Sequence, residues 1–390
     1  MVDKKMLVIL FLIGLFFSCS DKEKSRKNRV PNKINLSTEE IKFPPSEILN
    51  AEAYNINSSC LVDSNMWIIG YNRHIHSLDF IKLNTKEIFQ TKLEKEGEGS
   101  VLRPISIYAH NLDSIWIYDQ IGQLILMDNK GLIKQVKNLN KQTNSLEKVM
   151  INTNHAMYTS KLYYNQMRRS LFYIVQKDKS FYAKECPLDN KSSIKYYPLA
   201  SPYTTNKKVS SNFGNMDGVN ATFTDNWIIY NYPIESVFYV FNILTGENRL
   251  IESYSAYTQN TVKPFTAVDD YSKWEKHGLE NPHFYEIMYI PKYKMYMQLH
   301  LKETEFDKNK SIVELSDNRE LYLTCWNESF QFLCEVMLPK HRYNYYTGWC
   351  GLYDGLLLYV NNTTSKDELN DLLILDVVRP IISNKTNLSI

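Results

Sequence analysis

Short apolar runs of four to eight residues, rich in Ile, Val, Leu, Tyr, Phe and Trp, recur along this chain from about residue 40 onward, broken by Asn, Asp, Lys, Gly and Ser. They read as strands and turns, because β-branched and aromatic side chains suit a pleated surface while the polar punctuators favour turn backbone. Six are strongest: 66–71, 114–119, 171–176, 226–230, 294–299 and 356–360. All six carry apolar residues on both faces, as a strand sandwiched between two layers must.

Their centres, Trp67, Trp116, Phe172, Trp227, Tyr296 and Leu358, are spaced by 49, 56, 55, 69 and 62 residues. A unit of that size holds one four-stranded antiparallel sheet plus loops, so the spacing predicts an all-β, six-bladed β-propeller whose blades bury both faces against their neighbours. Seven blades or a two-domain β-sandwich are the alternatives, but a sandwich of this length needs a linker, and none follows Ser37. The second unit is the clearest, with strands at 105–109, 114–119, 124–128 and 132–139 and Gly131 supplying the positive φ of a tight hairpin. The last unit, 349–378, holds only three strands. The apolar segment 41–43 has no partner of its own, so the N-terminal segment is expected to complete the last blade and to stop at Pro44 and Pro45, which cannot donate to a ladder. Helical spacing of Val268, Tyr271 and Trp274, with Thr266 ahead and Gly278 behind, predicts a helical insertion near 266–277. A second, polar insertion spans 303–318.

The first nineteen residues follow a different pattern. A basic start (Lys4, Lys5), an apolar run at 6–17, then Ser18 and Cys19, read as a signal peptide over 1–18, since twelve apolar residues fall short of the roughly 20 that span a bilayer. Leu15, Phe16, Phe17, Ser18 and Cys19 resemble the bacterial lipobox, which implies lipidation (palmitate among the acyl chains) at Cys19. Ser20 resembles the pattern that favours the outer membrane. Residues 19–37, with six Lys or Arg and little to bury, read as a flexible tether, leaving 38–390 as the propeller domain.

Composition narrows the functional classes. A net charge of +2 without a basic cluster in the body argues against nucleic acid as a partner, which needs several phosphate-neutralising side chains. Beyond Cys19 the cysteines are Cys60, Cys186, Cys325, Cys334 and Cys350, an odd set without metal-binding spacing, so free buried thiols are expected. If 327–330 is the turn of a simple hairpin, Gln331 or Phe332 opposes Cys325, and Cys325 and Cys334 do not face each other.

Few residues offer chemistry. His74 and His76 fall on one face if 73–76 is a strand, with Arg73 beside them, but no third ligand lies at local spacing and no metal or cofactor is expected. Glu96 and Glu98 flank Gly97 in the connection between the first two units, with Arg103 nearby. A flexible turn does not fix the roughly 5–9 Å carboxylate separation that glycosidases need, so no catalytic residue is assigned. GxSxG, HExxH, P-loop, GxGxxG and calcium-loop motifs are absent from the sequence. Arg73, His74, His76, Glu96, Glu98 and Arg103 remain as candidate binding residues.

Cys19, the turn Lys95, Glu96, Gly97, Glu98, Gly99, the run 113–118 and the segment 285–299 with its Tyr-Ile-Pro-Lys-Tyr-Lys-Met-Tyr core together resemble a family of bacterial lipoproteins, domain of unknown function 4221. The resemblance covers nearly the whole mature chain and implies a six-bladed propeller at the cell envelope, with no activity attached. The expected function is a membrane-anchored, non-catalytic propeller for a protein or glycan partner. The alternative is a hydrolase or lyase acting on polysaccharide or lactone.

Overall fold

The six two-faced runs all become the second strand out from the axis in their blade, the position flanked on both edges and both faces. In the computed structural model the described residues are 32–44, 49, 53–97, 99–139, 147–153, 158–178, 180–189, 193–200, 212–265, 271–343, 348–360 and 372–381. They form six antiparallel sheets, which excludes the seven-bladed and sandwich alternatives. The first strand, β1 (Asn35–Phe43), precedes blade 1, made of β2 (Asn57–Val62), β3 (Asn65–Asn72), β4 (Ser77–Lys82) and β5 (Ile88–Lys92). Blade 2 holds β6 (Pro104–Asn111), β7 (Ser114–Asp119), β8 (Gln123–Met127) and β9 (Ile133–Asn138). Blade 3 holds β10 (Glu147–Val149), β11 (Tyr163–Asn165), β12 (Ser170–Lys177), β13 (Ser180–Pro187) and β14 (Lys195–Pro198). Blade 4 holds β15 (Asn220–Phe223), β16 (Trp227–Asn231), β17 (Phe238–Asn242) and β18 (Asn248–Ile251). Blade 5 holds β19 (His283–Ile290), β20 (Met295–Leu301), β21 (Leu321–Asn327) and β22 (Phe332–Met337). Blade 6 holds β23 (Trp349–Gly351), β24 (Leu356–Tyr359), β25 (Leu373–Ile381) and, outermost, β1.

Alternation along the second strands builds the core. Met66 and Ile68 of β3 face blade 6, whereas Trp67 and Ile69 face blade 2. On β7, Ile115 and Ile117 face blade 1 while Trp116 and Tyr118 face blade 3. A one-residue slip would exchange the two seams, so both layers hold the register. Six such apolar seams close the circle, one between each pair of neighbouring blades.

The N-terminal segment does complete the last blade. β1 pairs antiparallel with β25 from Asn35–Ile381 to Phe43–Leu373, and Phe43 is fully buried. The ladder therefore begins inside the stretch read as tether. Asn32 and Lys33 are also fixed: Lys33 N–H donates to the Leu333 carbonyl at 2.8 Å, and Glu335 N–H donates to Asn32 Oδ1 at 3.1 Å. The chain thus crosses from blade 5 to blade 6 before pairing. Expectations for the signal peptide, Cys19 and the rest of residues 1–31 lie outside the described residues.

Helix α1 (Tyr271–Leu279) precedes blade 5, where an insertion was expected; 266–270 lie outside the described residues. The polar insertion carries a short helix, α2 (Ile312–Asp317), whose N-cap Ser311 accepts the Glu314 N–H. No helix among the described residues is long and apolar enough to cross a membrane. The expectation for the two cysteines fails: Cys325 and Cys334 stand directly opposite each other. The turn takes an extra residue, Phe330 in the left-handed region (φ 61°), and a further register shift falls between Cys325 and Trp326.

Candidate functional site

Within each blade, the turn between second and third strands shares one end of the propeller with the connection to the next blade. This end is the connection face; the other turns form the hairpin face. All the described sequence candidates lie on the connection face, where blades 1 and 2 meet. Residues 73–76 form a turn rather than a strand, so the two histidines do not share a face. His74 is exposed, and its backbone N–H donates to Asn72 Oδ1 at 3.1 Å. His76 is buried with φ 54°, accepts from the Tyr71 hydroxyl at Nδ1 (2.9 Å) and donates from Nε2 to the Val101 carbonyl (2.8 Å). Burial lowers its pKa, so the neutral ring serves as a clasp between the turn and the 93–103 connection. Arg73, Glu96 and Arg103 are exposed on that face, and Glu98 lies outside the described residues. Among the described residues no three His, Cys, Asp or Glu side chains converge as a metal set would.

A polar constellation that sequence reasoning missed lies at the axis. The innermost strand of blade 3 is split: β10 and β11 both pair with β12, and Ser160, ahead of β11, does not. Ser160 bridges instead to Ala221 of blade 4, with Thr159 N–H donating to Asn220 Oδ1 at 2.7 Å and Ala221 N–H to the Thr159 carbonyl at 3.0 Å. This detour delivers Lys161, whose Nζ lies 3.0 Å from Glu286 Oε1 on β19 of blade 5. The same oxygen accepts the indole N–H of Trp349, on β23 of blade 6, at 3.0 Å. Three blades therefore meet on one carboxylate oxygen. A register shift between Phe284 and Ile287 sets two residues, Tyr285 and Glu286, against one on β20, the kind of bulge that re-aims a side chain. The Glu286 side chain is 3% exposed and that of Lys161 23%. Burial works to lower the Lys161 pKa, but the Glu286 charge outweighs it and the amine is held protonated. Burial pushes the neighbouring Cys350 thiol up, against the pull of Lys161, so it stays protonated.

Hydrogen bonds near the axis cross every seam. Asn57 Nδ2 donates to the Trp349 carbonyl (3.1 Å), Ser59 to the Gly351 carbonyl (2.6 Å), the Ala109 N–H to Ser58 Oγ (2.9 Å), Thr153 to the Ile105 carbonyl (2.8 Å) and Asn220 Nδ2 to the Phe284 carbonyl (3.0 Å). The bonds of Thr159 and Trp349 complete the circuit. Buried oxygens of Asn57, Ser106, Thr159, Ser160 and Asn231 have no protein partner, a need that buried water would satisfy. An open groove of about 560 Å³ between Phe89, Lys92, Asn129 and Lys130 lies at the outer rim, away from this cluster. Glu286 did leave a trace in the sequence, as a lone carboxylate inside the apolar strand 283–290. Lys161 and Trp349 left none.

No protein-family model matches the chain, and no curated protein matches it by sequence. Solved structures do. A putative exported protein from Bacteroides fragilis aligns with TM-score 0.48 and 11% identity, over 89% of this chain and 96% of that one. A putative 6-phosphogluconolactonase from Bacteroides uniformis aligns with TM-score 0.38 and 9% identity, over 84% and 88%. A member of the DUF4221 family from Bacteroides vulgatus aligns with TM-score 0.73 and 15% identity, over 91% of this chain and all of that one. At such identities the likeness concerns the fold: this chain is a six-bladed β-propeller that resembles, along nearly its whole described length, a DUF4221 protein.

Proposed function

We propose that the chain is an envelope lipoprotein of the DUF4221 type, tethered through lipid on Cys19, whose propeller is a non-catalytic binding module for a protein or glycan. The observation that carries the binding reading is the state of Glu286. A general acid or base needs a proton to exchange with substrate, yet this carboxylate oxygen is shared by the Lys161 ammonium and the Trp349 indole N–H. The cluster pins three blades, a structural use of the carboxylate that suits a binding scaffold.

The test uses the exported chain and its Cys19→Ala variant. The wild type is expected to take up labelled fatty acid and the variant none; label in the variant overturns the anchor. Purified 20–390 is then screened against envelope glycans and lactones, for binding by thermal shift and for turnover. Binding without turnover supports the reading. Hydrolysis lost in Lys161→Met replaces it with the hydrolase alternative.

A further inference from the structure

We propose that Cys325 and Cys334 form a disulfide site, joined across β21 and β22 when the chain meets a disulfide oxidant. Nothing in their spacing suggests it. Two local irregularities, the left-handed Phe330 and the shift after Cys325, bring the residues into register. Directly opposed residues of an antiparallel pair have Cα atoms about 4.5–5.5 Å apart, inside the roughly 4.4–6.8 Å that a disulfide spans. Opposed side chains also project from the same face. Here they enter the seam between blades 5 and 6, fully buried beside Leu323 and Leu333.

The chemistry is thiol–disulfide exchange. A thiolate of one cysteine attacks a small-molecule or protein disulfide, releasing one thiol; the second cysteine then attacks the mixed disulfide and releases the other. Two protein thiols are oxidised, one external disulfide is reduced, and the two protons lost by the protein thiols end on the two thiolates released, giving two external thiols. In the folded state both sulfurs are fully buried, out of reach of an external disulfide, so the reaction belongs to folding or to fraying of β22. That strand is outermost in its blade, and Asn32 and Lys33 bond along its free edge. Once formed, the bond fastens this outer strand to the blade. In cells the site rests on the envelope location proposed above, which supplies the oxidant; in vitro it does not.

The chain 20–390 is unfolded, reduced and refolded with either glutathione disulfide or reduced glutathione, then alkylated in denaturant and digested with trypsin. Where refolding is incomplete, native protein held with glutathione disulfide in urea enough to fray β22 gives the same readout. Both cysteines fall in the peptide 320–340. In the oxidised arm this peptide is expected to lose two hydrogens and take no label, while Cys60, Cys186 and Cys350 are labelled, and reduction is expected to lower the melting temperature by several degrees. Cys334→Ser restores labelling of Cys325. A doubly labelled peptide from protein that has regained its native fold in the oxidised arm, or from native protein held with glutathione disulfide in urea enough to fray β22, overturns the site. A cross-link formed in vitro but absent from protein extracted from cells upholds the site and refutes the envelope location.

Discussion

Blades 3 and 6 are both assembled from interrupted chain, and they mend the break in opposite ways. Blade 6 lacks an outer strand of its own and borrows β1, which binds through nine consecutive backbone pairs and buries Ile41 and Phe43. Its rim is trimmed with ion pairs: Arg342 reaches Asp376 (2.5 Å) and Glu40 (2.7 Å), while Arg379 reaches Asp354 (3.1 Å) and Glu39. Blade 3 breaks its inner strand and holds the three-residue fragment β10 with a side chain. Lys184 of β13, fully buried, lies 2.5 Å from Glu147 of β10, over the rings of Tyr173 and Tyr196. A rim break mended by backbone restores a closed ring. An axial break mended by side chains frees the next segment, and that freedom brings Lys161 to the centre.

The contrast is broken most severely at the ladder. Removing residues 20–31 is expected to leave the melting temperature unchanged, removing 20–37 to lower it, and removing 20–44 to lower it by roughly 10 °C or more or to prevent folding, because each buried large apolar side chain contributes about 1.5–3 kcal/mol and an open edge is added. Differential scanning fluorimetry on the three truncations measures this, and equal values for the first and last would show that the ring does not depend on β1.

Blade 3 should respond to charge instead. Lys184→Met leaves Glu147 buried and uncompensated, a cost of about 3–5 kcal/mol, whereas the double change Lys184→Met with Glu147→Leu should return close to wild type. Urea titrations of both variants decide it, and a single variant as stable as wild type would mean that the pair does not hold β10.

The smallest effect concerns a buried acid without a cationic partner in its hydrogen-bond set. Glu235, in the turn between β16 and β17, accepts from the Tyr239 hydroxyl at 3.1 Å, and burial raises its pKa to about 7. The folded state then keeps a proton that the unfolded state releases above about pH 4.5, so the contribution is fully present below that pH and is lost as pH rises to 7. Stability measured by urea at pH 4.5 and 8 should therefore converge in Glu235→Gln relative to wild type, by up to about 3 kcal/mol. An unchanged difference would place the proton elsewhere.

The sequence made the second strands legible because two apolar faces are a local property, and six of them at regular spacing gave blade number and closure together. It failed wherever geometry turned on one residue. The spacing of His74 and His76 implies one face only if the backbone is extended, and His76 at φ 54° is not. The opposition of Cys325 and Cys334 depends on an inserted turn residue. Lys161, Glu286 and Trp349 are 125 and 63 residues apart and meet through a broken strand and a bulge, which no window of sequence displays.

The crossing of Asn32 and Lys33 onto blade 5 also has a mechanical side. A pull on the chain from ahead of residue 32 loads these few hydrogen bonds to β22 first, in shear along the edge of a neighbouring blade, and reaches the Asn35–Ile381 end of the ladder only after they give way. The first contact acts as strain relief on a cable, so a load applied ahead of it is taken up there before it can unzip the ring.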